Sequence, residues 1–349
     1  MLTDSPRFPA LVERVRQDVE RALVEVWQIA EREHQRLGPA VAEPLEAARE
    51  LCLRGGKRLR AGLVATGYLV GGGGGRDLRP CLSVCCAVEL LQTYFLIHDD
   101  WMDQDSLRRG GPTVHTALQA HFPSVHLAAC GAVLAGDYTL ALATRELACA
   151  PVPAAQRARI FERFAVMQLD AVVGQQLDVL GDGSNLDDVY RLKTGSYTVR
   201  GPLELGTLLC EAPASVRTAL EAFALPLGIA FQLRDDLIGA FGDPHLTGKP
   251  RGSDLVAGKR TLLLATALEL LEPGARAALR DVFGNRAASH SAIETAIDAI
   301  DASGARLRVE ARITELCREA RAALDSPAFD ANARALLESV LSVLIDRGS

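Results

Sequence analysis

The sequence has few aromatic residues, few lysines and no dense run of basic residues. Aromatic residues make up 5% of the 349 positions, and only four of the 38 basic residues are lysine. Binding to a nucleic-acid backbone needs a basic surface stripe, whereas the formal net charge here is −6. The composition therefore argues against nucleic acid as a partner and predicts that any anion site is local.

Patterns typical of several other protein classes are also missing. No two of the eight cysteines have the CxxC spacing of a zinc or redox site, so we interpret them as reduced core thiols. No HExxH or GxSxG pattern indicates a metalloprotease or a serine hydrolase. No basic segment followed by an apolar run opens the sequence, and no uninterrupted apolar stretch approaches about 18 residues. We therefore expect no integral membrane segment and a cytoplasmic location.

Apolar residues make up 48% of the chain, and their spacing is that of amphipathic helices. The spacing predicts helices over 8–37, 41–53, 58–70, 78–103, 124–148, 155–180, 213–240, 257–271, 288–325 and 328–346. Proline and glycine mark short connections at Gly55-Gly56, Gly110-Gly111-Pro112, Pro151-Val152-Pro153, Gly201-Pro202 and Pro273-Gly274. Strand-like alternation is scarce and no break in composition divides the chain. We predict an all-α fold and a single domain over residues 1–349.

A first acidic cluster ends one of these helices. Asp99, Asp100 and Asp103 follow the apolar stretch Val84 to Ile97, and the spacing places Asp99 and Asp103 one turn apart. Carboxylates so placed repel one another, and negative charge is unfavourable at a helix C-terminus. A solvated helix end is the alternative interpretation. A set of oxygen ligands is typical of Mg²⁺, which keeps some waters and shares ligands with a substrate phosphate.

A second acidic pair has the same setting. Asp235 and Asp236 lie at the polar end of an apolar helix that runs from Leu220. Two acidic helix ends that face each other would form a pocket, so the two clusters together predict one metal site more strongly than either does alone.

The scarce lysines all lie beside glycine or one residue away from it. They occur in Gly55-Gly56-Lys57, Lys193-Thr194-Gly195, Gly248-Lys249 and Gly258-Lys259. An ammonium group next to backbone that only glycine lets come close is suited to a phosphate oxygen. Arginine forks can take two diphosphate oxygens and are available from Arg58, Arg60, Arg108 and Arg109. Charged loops that keep connections soluble are the alternative, but they do not explain why the scarce residue type is confined to them.

In this order the motifs resemble those of the trans-isoprenyl diphosphate synthases, the family of farnesyl and geranylgeranyl diphosphate synthases. The matches are Gly55 to Arg60, His98 to His115, Gly174-Gln175-Gln176-Leu177-Asp178, Lys193-Thr194-Gly195, Phe231-Gln232 with Asp235-Asp236, Gly242-Asp243, Gly248-Lys249, Asp254-Leu255 and Gly258 to Leu262. They lie between about residues 50 and 265.

The resemblance implies an isoprenoid synthase helical bundle around a central cavity, usually a homodimer. It implies that three Mg²⁺ ions bind Asp99, Asp103 and Asp235, with Asp100 in support. The allylic diphosphate would be held by Arg108, Lys193, Thr194, Gln232, Lys249 and Lys259, and the isopentenyl diphosphate by Gly56, Lys57, Arg60, Gln92 and Arg109. The expected activity is condensation of isopentenyl diphosphate with dimethylallyl, geranyl or farnesyl diphosphate as primer. Lys193 and Lys249 would act in catalysis beside the aspartates.

The sequence departs from the family pattern at two positions. Gly239 stands where the second motif usually has its last aspartate, and Ala61 stands where the family usually has proline. We expect weaker help for the third ion rather than inactivity, since Asp235 is present and Asp243 lies nearby in the sequence.

Product length depends, in the resembled family, on bulky residues before the first aspartate. Tyr94 and Phe95 lie five and four residues before Asp99, about 6 to 7.5 Å down the helix axis. Such a pair would form the floor of the cavity, although aromatic residues in ordinary core packing are the alternative. The pair favours a product of fifteen carbons over one of twenty.

Two other functions remain open at this point. A class I terpene cyclase also uses an aspartate-rich helix, but its downstream Asn/Asp, Ser/Thr, Glu metal triad is not found. A regulatory subunit of a prenyl synthase would be non-catalytic, but such subunits typically lose the first aspartates, which this sequence retains.

Overall fold

The computed structural model describes residues 7–74, 77–242 and 251–346 and is almost entirely helical there. The α-helices are α1 (Phe8–His34), α2 (Pro39–Leu53), α3 (Leu59–Val70), α4 (Leu82–Met102), α5 (Val114–Leu118), α6 (Val125–Ala148), α7 (Ala154–Leu180), α8 (Leu186–Val189), α9 (Gly201–Leu209), α10 (Ala214–Phe241), α11 (Ser253–Val256), α12 (Leu262–Leu270), α13 (Pro273–Val282), α14 (His290–Ala302), α15 (Ala305–Ala323) and α16 (Ala331–Ile345). A π-helix covers Tyr190–Arg200, and 3₁₀ turns cover Gln35–Leu37 and Arg79–Cys81. The predicted all-α fold is confirmed.

A two-stranded antiparallel hairpin follows α4. Its strands are β1 (Leu107–Arg108) and β2 (Gly111–Pro112), with Leu107 opposite Pro112. Arg109 and Gly110 form its turn, and both have positive φ angles, 52° and 74°. The predicted connection at Gly110 to Pro112 is therefore a hairpin that carries Arg108 and Arg109.

The structure departs from the predicted helix pattern in several places. The predicted helix 288–325 is divided into α14 and α15, because Gly304 adopts a φ of 82° that ends one helix and starts the next. Helical structure also covers Leu186–Leu209, α5 and α13, where no helix was predicted. Pro273-Gly274, predicted as a connection, lies in the first turn of α13. Gly201-Pro202 is not a connection, since the π-helix Tyr190–Arg200 continues directly into α9, which contains both residues.

The chain folds into two compact units. The first unit is Met1–Phe164 with Pro202–Arg217, and the second unit is Ala165–Gly201 with Thr218–Ser349. Each has its own apolar core. In the first unit the fully buried side chains include Phe8, Trp27, Leu63, Leu90 and Leu91, and in the second they include Phe223, Leu227, Ile297, Ile300 and Leu337. A single domain over 1–349 stays a prediction.

Close backbone contact joins α3 to α9 within the first unit. A Cβ atom added at Gly67 would overlap the carbonyl oxygen of Leu203 and lie 2.8 Å from its carbonyl carbon. One added at Gly206 would overlap the carbonyl oxygen of Val64 and lie 2.6 Å from the nitrogen of Tyr68. Two glycines therefore let the helix that follows the Gly55-Gly56-Lys57 loop pack directly on α9.

By length and composition alone, three helical segments within residues 7–74, 77–242 and 251–346 could cross a membrane. They are Arg79–Met102, Val125–Ala148 and Ala214–Phe241. In the first of them, 67% of the most apolar window is buried inside the protein, and a helix that is apolar on all sides is also typical of a buried core. The absence of an integral membrane segment stays a prediction.

Candidate active site

The first acidic cluster lies at the end of α4 and is partly buried by the fold. Asp100 has no exposed surface, and one of its carboxylate oxygens, Oδ2, is buried without a hydrogen-bond partner. Burial raises the pKa of Asp100 to about 6, although Arg108 opposes the shift. Asp99 and Asp103 are each partly exposed. The middle aspartate therefore belongs to the protein interior, and its two neighbours reach the surface.

Arg108 is the partner that holds Asp100. Its Nε donates a 2.7 Å hydrogen bond to Asp100 Oδ1, and its Nη2 contacts both Asp100 and Asp105. The main chain reinforces this arrangement, because Asp105 N donates to Asp100 O at 2.9 Å and Thr113 Oγ1 donates to Asp105 O at 2.8 Å. Arg108 was predicted to bind the allylic diphosphate; the contacts seen here add a role in orienting the acidic cluster.

The loop before α3 meets the hairpin turn in the first unit. Gly56 has a φ of 142°, and a Cβ atom there would lie 3.1 Å from the guanidinium of Arg109. Arg109 Nη1 donates to Gly55 O, and Lys57 is exposed beside them. The structure thus brings together Gly56, Lys57 and Arg109, three of the five residues predicted to hold isopentenyl diphosphate. Of the other two, Arg60 is partly exposed and Gln92 is buried, with 8% of its surface exposed.

Arg54 is a site-forming residue that sequence reasoning missed. Its Nη1 donates to the carbonyl oxygens of Arg108 at 3.1 Å and Pro112 at 2.8 Å, which ties the end of α2 to the hairpin. A Cβ atom at Gly111 would lie 2.6 Å from the same guanidinium. The sequence feature that could have indicated its role is its position directly before Gly55-Gly56.

Arg58 is not a phosphate ligand, contrary to its grouping with the basic residues of this loop. Only 3% of its surface is exposed. Nη1 donates to Glu89 Oε2 at 3.3 Å and Nη2 to Cys52 O at 2.8 Å. Glu89 Oε1 also accepts from Ala61 N at 3.2 Å. A buried guanidinium needs a buried anion, so Arg58 is committed to the core.

Tyr94 and Phe95 lie next to each other on α4 and make different further contacts. The Tyr94 ring packs on His98, one turn later, with 4.6 Å between centroids, and His98 Nε2 lies 3.1 Å from Val133 O on α6. Phe95 lies 5.0 Å from the Tyr94 ring and shares the helix face of Asp99 by its four-residue spacing. Both rings are partly exposed. Of the two, Phe95 is the one directly below Asp99.

In the second unit, two glycines position the segment Lys193-Thr194-Gly195. A Cβ atom at Gly174 on α7 would lie 2.7 Å from Lys193 Cα, and one at Gly228 on α10 would lie 2.8 Å from Gly195 Cα. The π-helix therefore lies in backbone contact with both helices. Lys193 Nζ donates to Asp178 Oδ2 at 2.5 Å, one turn after Gly174. The predicted motif Gly174 to Asp178 thus orients the predicted catalytic lysine.

A chain of hydrogen bonds links this segment to the second acidic pair. Thr194 Oγ1 donates to Gln232 Oε1 at 2.5 Å, and Gln232 Nε2 donates to Asp236 Oδ1 at 2.8 Å. Tyr190 OH donates to Asp236 Oδ2 at 2.9 Å and accepts from Leu262 N at 2.7 Å. Sequence reasoning missed Tyr190, which joins the π-helix to the start of α12. Thr194 and Gln232 are brought together as predicted.

The two acidic motifs repeat one arrangement. Asp236 is 8% exposed and held by Gln232 and Tyr190, whereas Asp235 is exposed. Burial raises the pKa of Asp236 to about 7. In each motif, then, the second aspartate is buried and fixed by protein groups, as Asp100 is by Arg108. The preceding aspartate is more exposed, since Asp99 is partly exposed and Asp235 is exposed.

The charge of Asp236 makes a testable contribution to stability. Its pKa rises from 3.8 to about 7 on folding, so the folded state favours the protonated form and loses stability as pH rises from about 4 through 7. Asp236→Asn keeps a carbonyl for Gln232 and stays neutral. In EDTA, the melting temperature of the variant is expected to be several degrees above that of wild type at pH 8 and equal to it at pH 4. A melting difference that does not change with pH would contradict this assignment.

Of the remaining predicted residues, Lys259 lies beside Asp254 with 3.9 Å between Nζ and Oδ1. Lys249 and Asp243 lie outside the described residues. The sequence motifs placed Lys249 and Lys259 near the diphosphate and Asp243 near the third ion, and these site assignments stay predictions.

The donor set is compatible with magnesium. In the ranges 7–74, 77–242 and 251–346, no three His, Cys, Asp or Glu side chains are grouped closely enough to hold a metal by themselves. Mg²⁺ is usually bound by one or two carboxylates together with substrate phosphates and waters, so the partly exposed Asp99 and Asp103 and the exposed Asp235 are suitable ligands for such an ion. Asp99 and Asp235 belong to different units. That they face each other stays a prediction.

Comparison with known proteins assigns the family. A family model described as polyprenyl synthetase matches residues 42–300. The chain belongs to this family. Geranylfarnesyl diphosphate synthase of Aeropyrum pernix is 31% identical to this polyprenyl synthetase over 311 residues, 86% of this chain and 93% of the relative. Farnesyl diphosphate synthase of Geobacillus stearothermophilus is 36% identical over 252 residues, 68% of this chain and 78% of the relative.

A solved structure is similar over the full length of the polyprenyl synthetase. Geranylgeranyl pyrophosphate synthase from Corynebacterium glutamicum, complexed with isoprenyl diphosphate and magnesium, superposes with a TM-score of 0.89 and 34% identity. The match covers 99% of this chain and 100% of that one. The resemblance inferred from the motifs and the isoprenoid synthase fold are both confirmed.

Proposed function

We propose that this polyprenyl synthetase is a magnesium-dependent short-chain trans-prenyltransferase that condenses isopentenyl diphosphate with an allylic diphosphate. The observation that supports the proposal is the repeated arrangement of the acidic motifs, each with one buried, fixed aspartate next to an aspartate that is at least partly exposed. Basic residues lie in the same units as these motifs, Lys57 and Arg109 in the first unit and Lys193 in the second. Family membership supports an enzyme of this class.

The reaction breaks the allylic C–O bond, and the diphosphate leaves with the electron pair. The double bond of isopentenyl diphosphate attacks the resulting cation, and a proton is then lost to the departing diphosphate. Magnesium, when bound, supplies positive charge that stabilises the developing negative charge of the leaving group. Three ions per site, held by Asp99, Asp103 and Asp235, are part of the proposal.

Side chains of the protein contribute to both substrates. Lys193, oriented by Asp178, supplies a fixed positive charge toward the leaving diphosphate, and fixed charge stabilises the transition state more than the ground state. Gly56, Lys57 and Arg109 present backbone and cationic groups to isopentenyl diphosphate. The apolar residues of α4 before Asp99 would keep water away from the cation.

The product, assembly and location are proposals as well. We propose farnesyl or geranylgeranyl diphosphate as product, with farnesyl favoured by the aromatic pair Tyr94 and Phe95. The named relatives make products of more than one length by their names, so similarity does not separate these choices. A homodimer and a cytoplasmic location complete the proposal.

One assay separates this function from the two alternatives. Purified protein is incubated with Mg²⁺, isopentenyl diphosphate and each allylic primer in turn, and products are separated by length. Condensation supports the proposal. Hydrocarbon made from a single allylic diphosphate would indicate a terpene cyclase, and no turnover with any primer would indicate a regulatory subunit.

Removal of the aromatic pair is expected to lengthen the product. Tyr94→Ala with Phe95→Ala opens space on α4 below Asp99, so a prenyl tail can extend by one or more five-carbon units. Mass spectrometry of the extracted alcohols measures the change. Tyr138→Ala on α6, another partly exposed aromatic that packs on His34 with 5.7 Å between centroids, is the control and should leave length unchanged. Unchanged products from the double variant would exclude both residues from this role.

A further inference from the structure

A single arginine connects both strands of the hairpin to the end of α2. Arg54 Nη1 donates to the carbonyl oxygen of Arg108 on β1 at 3.1 Å and to that of Pro112 on β2 at 2.8 Å. Each strand has only two residues, and a two-stranded hairpin is at best marginally stable by itself. The hairpin therefore depends on contacts from outside, and Arg54 supplies one to each strand.

The carbonyl that Arg54 holds on β1 belongs to the peptide group between Arg108 and Arg109. The orientation of this peptide sets the direction in which both side chains leave the main chain. Arg109 has a φ of 52°, which is in the left-handed region. Such an angle is unfavourable for a residue with a side chain and persists only where surrounding contacts fix it. Arg54 provides such a contact directly at this peptide.

The two arginines of the hairpin differ in their other contacts. The Arg108 side chain is anchored by two aspartate carboxylates. The Arg109 guanidinium donates to the carbonyl oxygen of Gly55, the residue that directly follows Arg54. Arg54 and Arg109 thus each hold the main chain of the other's segment. Loss of Arg54 removes one half of this reciprocal contact, whereas the side chain of Arg108 keeps its two carboxylates.

We propose that Arg54 is a positioning residue for isopentenyl diphosphate, and that it acts by holding Arg109 beside the Gly55-Gly56 loop. The inference rests on the proposed function, in which Arg109 binds this substrate. Arg54 lies outside the residues assigned to either diphosphate, and its side chain is only 19% exposed. Because Arg108 has separate anchors, removal of Arg54 affects isopentenyl diphosphate more than the allylic substrate.

Binding of isopentenyl diphosphate in EDTA tests this role without turnover. The residues proposed for this substrate are cationic or neutral, so its binding does not require a metal ion. Calorimetric titration of Arg54→Ala is expected to give a Kd about tenfold above that of wild type, the effect of about one charge-assisted hydrogen bond. Arg54→Lys keeps a cationic donor and should bind within about threefold of wild type.

Steady-state kinetics with Mg²⁺ shows whether the effect is confined to one substrate. For Arg54→Ala at saturating allylic primer, KM for isopentenyl diphosphate is expected to rise by about tenfold. KM for the allylic primer should stay within about twofold of wild type. Melting temperatures are measured for every variant, since a merely structural role of Arg54 would lower stability without selecting one substrate.

Arg49→Ala is the matched control on α2. The Arg49 side chain is 32% exposed and contacts Glu31 and Glu46. Its removal takes one arginine from the same helix, and the Kd of isopentenyl diphosphate should stay within about twofold of wild type.

A double-variant cycle tests whether Arg54 acts through Arg109. If it does, Arg54→Ala should raise the Kd of isopentenyl diphosphate by less than about twofold in an Arg109→Ala background, because the residue that Arg54 positions is already gone. Arg49→Ala should have no effect in either background. Independent, multiplicative effects of Arg54→Ala and Arg109→Ala would reject the proposed route.

The remaining outcomes distinguish this inference from the proposed function. Arg54→Ala that binds isopentenyl diphosphate within about twofold of wild type, or that raises KM for both substrates equally, would reject the positioning role. The proposed function would stand in that case, because wild type still condenses the two substrates. Wild-type protein that forms no condensation product with any primer would reject the proposed function and the inference with it.

Discussion

Asp99→Asn is expected to lower kcat/KM for condensation by about 1000-fold, with little change in melting temperature. The substitution removes one negative charge from a partly exposed residue of the first motif that is proposed to hold magnesium. Asparagine has nearly the same shape and keeps one oxygen. The loss is therefore expected in catalysis and in the magnesium concentration for half-maximal rate. Steady-state kinetics over a magnesium series measures both.

Asp137→Asn is the matched control for this prediction. Asp137 lies on α6, its side chain is 60% exposed, and it faces His98, the residue that directly precedes Asp99. Its removal also changes the charge near the end of α4, without changing either acidic motif. We expect a rate within about twofold of wild type. If Asp137→Asn and Asp99→Asn lost activity equally, general charge near α4 rather than a metal-binding role of Asp99 would explain the effect.

Gly67→Ala is expected to destabilise the protein by about 3 kcal/mol, the upper part of the range for overpacked cores. The new methyl group would overlap the carbonyl oxygen of Leu203 and lie 3.0 Å from its Cα. Backbone atoms cannot turn aside as a side chain can, so α3 and α9 have to separate. The midpoint of urea unfolding and the melting temperature measure the loss of stability. Failure to obtain soluble folded protein would be the extreme case of this loss.

Gly274→Ala is the control for this glycine. Gly274 is exposed in the first turn of α13, and an added Cβ would meet no atom within 4 Å. Alanine is favoured over glycine in helices, so stability should stay the same or rise by about 0.5 kcal/mol. A Gly67→Ala variant that unfolds at the same urea concentration as wild type would show that the contact between α3 and α9 yields easily and would contradict the packing described here.

The helices were largely predictable because their apolar spacing is a local property of the sequence. α4, α6 and α7 begin and end within a few residues of their predicted bounds. The break at Gly304 was missed because glycine does not reveal in sequence that its φ will be positive. The helical stretch from Leu186 to Leu209 was missed because its Gly201-Pro202 pair has the composition of a connection, and only its packing shows otherwise.

The candidate site was predictable in its residue types but not in its internal contacts. The pattern of scarce lysines beside glycines led to Lys57 and Lys193, and their surroundings agree with a polar site. Arg58 has the same sequence context as Arg60, yet it pairs with Glu89 in the core. Nothing in the local sequence distinguishes two arginines in one loop, since the difference arises from the charge that each meets after folding.

Motif order and spacing by themselves determined the family of this protein and the chemistry available to it, because carboxylates and lysines keep their affinity for metal ions and phosphate in any fold. Tertiary structure alone decided which of these groups is buried and which is presented. Asp100 and Asp236 are fixed inside by Arg108 and Tyr190. Such choices depend on contacts between segments distant in sequence, and these exist only once the chain has packed.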